Sequence, residues 1–64
     1  MYYVIIGYNA FRPVDEYCDI AYNKCEKIAL IKQYKEYLKA KELDMFKVVS
    51  YRNNTDVKDI ITYQ

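Results

Sequence analysis

Residues 14–38 read VDEYCDIAYNKCEKIALIKQYKEYL, and the interpretation of the whole chain depends on this stretch. Residues 14–42 contain no Gly or Pro and are rich in Ala, Leu, Lys, Glu and Ile, most of which favour helix. Pro13 is suited to the first helical position, and Asp15 and Glu16 complement the dipole of a helix that begins there. The sequence therefore predicts one long helix over residues 14–42.

The apolar residues of this predicted helix change sides partway along it. Projected at about 100° per residue, they form two groups that point in nearly opposite directions. The first group is Val14, Tyr17, Cys18, Ala21, Cys25, Ile28 and Ala29. The second group is Leu30, Ile31, Tyr34, Tyr37 and Leu38. One helix with two apolar stripes is expected to contact two different surfaces.

The length of the predicted helix makes the change in its apolar face important. A straight helix over residues 14–42 would be roughly 43 Å long, whereas a globule of this size has a diameter of about 28 Å. Either the helix bends near residues 28–31 and packs on one sheet, or it stays straight and meets another chain. In the second case the later stripe would be an exposed patch with two interface-prone tyrosines. We therefore predict partner contacts, in a homodimer or with another protein, at Leu30, Ile31, Tyr34, Tyr37 and Leu38.

The segments on either side of the predicted helix have strand composition. Residues 2–8, YYVIIGY, are β-branched and aromatic on both faces, which predicts a central strand. Residues 45–52 predict a second strand, followed by a turn at Asn53-Asn54. Residues 56–63 predict a strand that closes a hairpin, with a short final helix as the alternative.

These elements predict an α+β fold, a small β-α-β-β domain with one long helix, straight or bent, across a short sheet. The strands before and after the helix would be parallel, joined by a right-handed crossover. A chain of 64 residues supports one small core, so residues 1–64 are expected to form a single domain.

The two cysteines bear on the compartment. Cys18 and Cys25 are seven residues apart, which is about 10 Å along one helix and too far for a disulfide. Two reduced cysteines, with no signal peptide and no apolar run long enough to cross a bilayer, predict a cytoplasmic protein without membrane contact.

Residues that commonly carry catalysis or metal are scarce. The chain has no His, the cysteines lack C-x-x-C spacing, and Gly7 is the only glycine, so no phosphate-binding loop is present in the sequence. Asp15, Glu16 and Asp19 are expected to be solvated acids of the first helical turns. We predict no enzyme activity, no cofactor and no metal site.

Lysine is the basis for an alternative function. Residues 24–52 hold eight Lys and Arg against four Asp and Glu, although the whole chain has a net charge of only +1. Lys32, Lys35 and Lys39 share one helical face, and tyrosines offer stacking surfaces, as in proteins that bind single-stranded nucleic acid. These three lysines are candidate nucleic-acid contacts.

The nine tyrosines indicate a second binding face. Tyr2, Tyr3 and Tyr8 cannot all point to one side of an alternating strand, so some rings are expected on the side of the sheet away from the core. A tyrosine-lined pocket for a small molecule between two protomers is compatible with the same pattern.

Together these features predict a small, dimeric, non-catalytic protein that binds another protein and inhibits it by occupying its surface. The alternative is a small nucleic-acid-binding or regulatory protein. Frequent Lys, Tyr, Ile and Asn after an initial Met1 are typical of a short open reading frame of an AT-rich genome. A bacteriophage or mobile element, with action in the host cytoplasm, is the expected source.

Overall fold

The chain folds into two hairpins joined by a helix. The computed structural model describes residues 1–53 and 56–64. In chain order the elements are β1 (Tyr2–Asn9), β2 (Arg12–Ala21), α1 (Lys24–Lys39), β3 (Met45–Tyr51) and β4 (Val57–Tyr63). The strands form one sheet in the order β2-β1-β3-β4, and every neighbouring pair is antiparallel.

The predicted fold class is confirmed: this is a small α+β domain with one helix packed on a sheet. The strand at residues 2–8 and the hairpin of residues 45–52 with 56–63 are confirmed as well, so the alternative of a final helix is wrong. Asn54, the second residue of the predicted turn, lies outside the described residues.

The long helix over residues 14–42 is wrong in its first half, where the chain forms β2. Strand β2 pairs with one side of β1, with Ala21 opposite Tyr3 and Cys18 opposite Ile6. These ladder hydrogen bonds exist only in the folded sheet, and they outweigh a weak local preference for helix. The bend and the straight helix over residues 14–42 are both excluded, because the members of the first apolar group up to Ala21 lie on β2, whereas its remaining members and the whole second group lie on α1.

The parallel crossover is also wrong, because β2 reverses the chain once more before the helix begins. Ala21 lies beside Tyr3 near the start of β1, and α1 then runs back toward the opposite end of the sheet. The chain enters β3 at Met45, opposite Tyr8, so β1 and β3 are antiparallel.

The start of α1 is determined by a capping box. Asn23 caps the helix, with its side-chain oxygen accepting a hydrogen bond from the Glu26 N–H at 2.9 Å. The Glu26 carboxylate accepts in turn from the Tyr22 N–H at 2.8 Å. Asn followed three residues later by Glu is a recognised sequence signature of a helix start.

The end of α1 is a Schellman motif. The Glu42 N–H donates to the Tyr37 carbonyl at 2.9 Å and the Lys41 N–H to the Leu38 carbonyl at 3.1 Å. Lys41 has a φ of 61°, in the left-handed region where Gly usually stands, so no Gly marks this helix end in the sequence. The helix has 16 residues and fits within a molecule 34 × 22 × 18 Å across.

The core lies between α1 and one face of the sheet. Its fully buried members are Ile5, Tyr34, Leu43, Phe46 and Val48. Gly7 allows this packing, because a Cβ there would lie 2.7 Å from Leu43 Cδ1 and 2.8 Å from Tyr17 Cβ. The absence of a side chain at Gly7 therefore lets the β2 segment close over the end of the core.

Candidate functional site

One face of the sheet is covered by the helix, and the other face is not. Helix α1 packs against β2, β1 and β3. Successive side chains of a strand point to opposite faces, so Tyr3 and Ile5 of β1 face the helix, and their neighbours face away. We call the side away from α1 the open face. By strand register its residues are Pro13, Cys18 and Ile20 of β2; Tyr2, Val4, Ile6 and Tyr8 of β1; Met45, Lys47, Val49 and Tyr51 of β3; and Val57, Ile60 and Thr62 of β4.

An aliphatic row crosses the open face from edge to edge. Ile20 is opposite Val4, Val4 is opposite Val49, and Val49 is opposite Ile60. Val49 is shielded by its neighbours, whereas Ile20 and Ile60 on the edge strands are 51% and 55% exposed. Contiguous apolar surface of this kind is uncommon on monomers except where it binds something.

An aromatic row lies next to the aliphatic row. The Tyr2 and Tyr51 rings stack with their centroids 5.0 Å apart and their planes 12° from parallel. Val57 extends this row onto β4, opposite Tyr51, and its side chain is exposed. The two rows together make the end of the open face near Tyr2 continuously apolar.

The charged residue that the strand register places on the open face is Lys47, opposite Ile6. Its ammonium lies 5.0 Å from the centroid of the Tyr8 ring. This contact orients Lys47 away from the aliphatic row and toward the Tyr8 end of the sheet. Among the residues that the register pairs on this face, Lys47 alone is charged, and it lies in the row next to the aliphatic row. Exposed Glu16 alternates with Cys18 on β2, and exposed Lys58 follows Val57 on β4.

The stripe predicted to bind a partner lies on the other side of the sheet, inside the protein. Tyr34 is 1% exposed, and its hydroxyl donates a hydrogen bond of 2.7 Å to the Asp19 carboxylate. Burial, with the nearby Asp19 carboxylate, raises the pKa of Tyr34 far above its ordinary value.

The other four members of that stripe pack against the same core; they are Leu30, Ile31, Tyr37 and Leu38. The premise that these side chains form an exposed patch is therefore wrong, because the sheet itself occupies them. A partner could reach Tyr34 only by displacing β2 or the helix.

The candidate nucleic-acid residues Lys32, Lys35 and Lys39 are exposed along α1. The Lys35 ammonium lies 5.5 Å from the centroid of the Tyr63 ring, at the end of β4. Glu36 is also exposed on the helix, between Lys35 and Lys39 in sequence. The lysines are thus available to solvent on a surface that contains carboxylates too.

The cysteines and the acids of β2 do not form a site. Cys18 lies on β2 and Cys25 on α1, and both are exposed and free. Asp15 and Glu16 are exposed on a strand, so their expected role at a helix N-terminus is wrong. Within residues 1–53 and 56–64, no three or more His, Cys, Asp or Glu residues are grouped to hold a metal ion.

The turn between β1 and β2 is a second unusual feature of the surface, apart from the open face. Ala10 and Phe11 have φ angles of 54° and 64°, a pattern that usually takes Asn-Gly in a two-residue hairpin turn. The Ala10 N–H donates to the Asp44 carboxylate at 2.7 Å, and Phe11 is 89% exposed. Phe11, Asp44, Met45 and Gln64 line a groove of about 270 Å³ beside it.

Comparisons of the chain with protein-family models, with curated proteins and with solved structures find no match. In the part of the chain that the structure describes, no helix is both long and apolar enough to cross a membrane.

Sequence reasoning identified the open face only through the tyrosines of β1. It missed Ile20, because residues 14–42 were predicted to be a helix, and it missed the significance of Ile60. The hairpin predicted for residues 45–52 and 56–63 contained a signal for the aliphatic row. When its first strand pairs antiparallel with β1, Val4, Val49 and Ile60 are aligned on one face of the sheet.

Proposed function

We propose that this chain is a small, non-catalytic protein-binding protein that acts by covering an apolar surface of another protein with its open face. The observation that carries the proposal is the aliphatic row of Ile20, Val4, Val49 and Ile60, which spans all four strands on a face without a covering layer. Inhibition by occupying the partner's surface needs no reactive group on this chain.

The chemistry of the open face favours a protein as partner. A nucleic acid would require several cations to contact phosphates, and among the residues that the register pairs on this face only Lys47 is a cation. Paired strands with β-branched and aromatic side chains instead match the inner face of a sandwich, in which a second apolar layer packs about 10 Å away. We infer a partner that offers an apolar patch with a polar margin.

The size of the face sets the expected affinity. Four strands about 4.8 Å apart and seven residues long present roughly 440 Å² in projection. This is about half of the 800 Å² per partner that is typical of stable complexes. Unless the partner also reaches the sheet edges, we expect a dissociation constant in the micromolar range.

The test uses two neighbouring residues of β4. Ile60 is on the open face and Ile61 on the helix face, and they are 55% and 45% exposed. We expect Ile60→Lys to abolish capture of a partner from host extract, and Ile61→Lys to retain it. The captured protein is then purified and titrated calorimetrically against the parent chain, where burial of apolar surface predicts a negative heat-capacity change.

Equal capture by both variants, or loss with both, would refute the open face as the contact. Circular dichroism of each variant checks that its fold is intact, so that a loss of binding is not a loss of structure.

Nucleic-acid binding by Lys32, Lys35 and Lys39 remains the alternative, supported by their exposure along α1. Changing all three to Gln would then reduce affinity for single-stranded or duplex DNA, and the parent's affinity would fall steeply with salt. Binding that depends on these lysines and not on Ile60 would replace the protein-binding proposal.

A cytoplasmic location and an origin in a bacteriophage or mobile element stay predictions. The location is supported by Cys18 and Cys25, which are both exposed and free, as thiols are in a reducing compartment.

A further inference from the structure

The sequence predicts a homodimer through the stripe of residues 30–38, but Tyr34 of that stripe is buried and its other members are half-buried against the core. A dimer therefore needs another surface, and the outer edge of β4 provides one. We propose that β4 pairs antiparallel with β4 of a second copy across a two-fold axis, which joins the two sheets into one of eight strands. The inference rests on the edge of the sheet and is independent of what binds the open face.

Strand β4 is exposed on both of its faces. Every residue from Val57 to Thr62 is exposed, and Tyr63 is half-buried against Phe46, with the two rings stacked 4.6 Å apart. Helix α1 packs against β2, β1 and β3, and Ile61 on the helix face of β4 is 45% exposed. An edge strand also directs alternate N–H and C=O groups outward, where another strand can pair with them.

The second half of strand β4, residues 60–63, lacks the features that usually prevent edge pairing, whereas Lys58, Asp59 and an irregular register lie at its start. Natural sheets block their edges with Pro, charged side chains or bulges. The pairing of β3 with β4 is regular from Asp59 to Tyr63, and its one irregularity is at Ser50 and Tyr51, near the start of β4. Residues 60–63, Ile-Ile-Thr-Tyr, carry no charge.

The register follows from the faces of the strand. Across a two-fold axis normal to the sheet, opposed residues must lie on the same face. Centring the axis on Asp59 would oppose two carboxylates, and centring it on Ile60 would set Asp59 against Ile61 of the partner subunit. Centring it on Ile61 opposes the two Ile61 side chains on the helix face, where α1 leaves them uncovered.

The same register is electrostatically complementary. It sets Tyr63 opposite Asp59 of the partner subunit, on the helix face. Lys35 already lies over the Tyr63 ring, with its ammonium 5.5 Å from the centroid. The partner's Asp59 would therefore approach Lys35, and the two-fold axis repeats this pair. Opposite charges at the contact favour this register over its neighbours.

The first experiment measures mass in solution. Light scattering coupled to size exclusion, from about 10 to 300 µM, is expected to show a reversible dimer, since an edge contact is small and its dissociation constant is expected to be micromolar. Ile61→Lys opposes two ammonium groups and should give a monomer throughout, whereas Ile60→Lys should dimerise as the parent does.

A charge exchange tests the register without touching the isoleucines. Lys35→Glu alone and Asp59→Lys alone should each weaken the dimer at least threefold, because each places like charges together. The double variant restores opposite charges and should recover the parent's dissociation constant. If the double variant dimerises more weakly than either single variant, the two substitutions act independently and this register is wrong.

Cysteine cross-linking gives a direct distance. In a Cys18→Ser, Cys25→Ser background, Ile61→Cys should form a covalent dimer with oxidised glutathione, because opposed Cβ atoms lie about 5 Å apart. Ile60→Cys should react at least several-fold more slowly, because residue 60 of one chain does not lie directly opposite residue 60 of the other. Ile20→Cys, on the other edge of the sheet, should stay monomeric.

The outcomes separate this inference from the proposed function. A parent chain that is monomeric at 300 µM, or cross-linking through Ile60 or Ile20 in preference to Ile61, overturns the β4 dimer. Partner capture that is lost with Ile60→Lys and retained with Ile61→Lys would still support the open face. Partner capture that is retained with Ile60→Lys and lost with Ile61→Lys would refute the open face as the binding surface, and the proposed β4 dimer would be unaffected.

Discussion

The two edge strands of the sheet differ in almost every respect. Strand β2 contains Pro13, exposed Asp15 and Glu16, and an irregular register with β1 between Ile6 and Tyr8. It is also tied to the helix, because Asp19 accepts the hydrogen bond of the Tyr34 hydroxyl. Strand β4 has a regular register from Asp59 to Tyr63, with one irregularity near its start, and it has two exposed isoleucines and little contact with α1.

The two edge strands therefore have different roles: β2 contributes to the stability of the fold, and β4 is available for association with other chains. Residues along β2 hold the helix on the sheet, and its charges and Pro discourage pairing with other chains. Residues along β4 contribute little to the core and leave an edge and part of the open face available. We therefore expect substitutions near β2 to change the free energy of unfolding, and substitutions on β4 to change binding instead.

The largest effect is expected at the contact between β1 and the β2 segment. Gly7→Ala would place a methyl group within 2.8 Å of Tyr17 Cβ, which cannot move without its backbone. Overpacking of this kind should destabilise the protein by roughly 2–3 kcal/mol. Urea denaturation measures the change, and an unchanged midpoint would show that the β2 segment is not held closely against Gly7.

Next in size is the hydrogen bond between the helix and β2. Tyr34→Phe keeps the ring packing and removes the donor to Asp19 at 2.7 Å. Loss of a hydrogen bond to a charged acceptor should lower the free energy of unfolding by about 1–3 kcal/mol. Tyr37→Phe, on the half-buried part of the same helix, is the control and should cost less.

Alkaline pH should weaken the same contact. The pKa of Tyr34 is raised in the folded protein, by burial first and then by Asp19, above the value near 10 of an unfolded chain. Above pH 10 the unfolded chain loses this proton while the folded protein keeps it, so stability present below pH 10 declines as pH rises. Chemical denaturation between pH 9 and 11 should show a smaller decline in Tyr34→Phe than in the parent.

A smaller effect of opposite sign is expected at the turn that leads into β2. Phe11 has a φ of 64° and is almost fully exposed, so Phe11→Gly removes backbone strain and no packing. The net gain should be about 0.5–1 kcal/mol after the entropy of Gly is subtracted. Phe11→Ala keeps the strained φ, and a gain of equal size there would contradict this explanation.

The smallest effects on stability are expected on β4. Ile60→Lys and Ile61→Lys change half-exposed side chains on an edge strand and should each alter the free energy of unfolding by less than about 0.5 kcal/mol. Thermal denaturation provides the measurement. A loss above 2 kcal/mol in either variant would mean that β4 supports the core as β2 does, and the distinction between the two edges would not hold.

Much of the fold could be predicted from local patterns. The strand at residues 2–8 and the hairpin from residue 45 onward have β-branched and aromatic runs whose strand preference does not depend on distant residues. The apolar stripe of residues 30–38 can also be read from the sequence, but it packs against the core of its own chain and not against another chain. Asn23 and Glu26 held the signal for the true helix start.

The sequence by itself determined that the chain is one α+β domain with a helix, a central strand and a final hairpin, because those preferences are local. Only the tertiary structure decided that residues 12–21 are a strand, since pairing with β1 supplies hydrogen bonds that no local pattern contains. The extra strand reversed the chain direction and put Tyr34 in the core. It also placed exposed Ile20 and Ile60 at the two ends of one row on the open face, because strand order and register alone bring such distant residues onto one face.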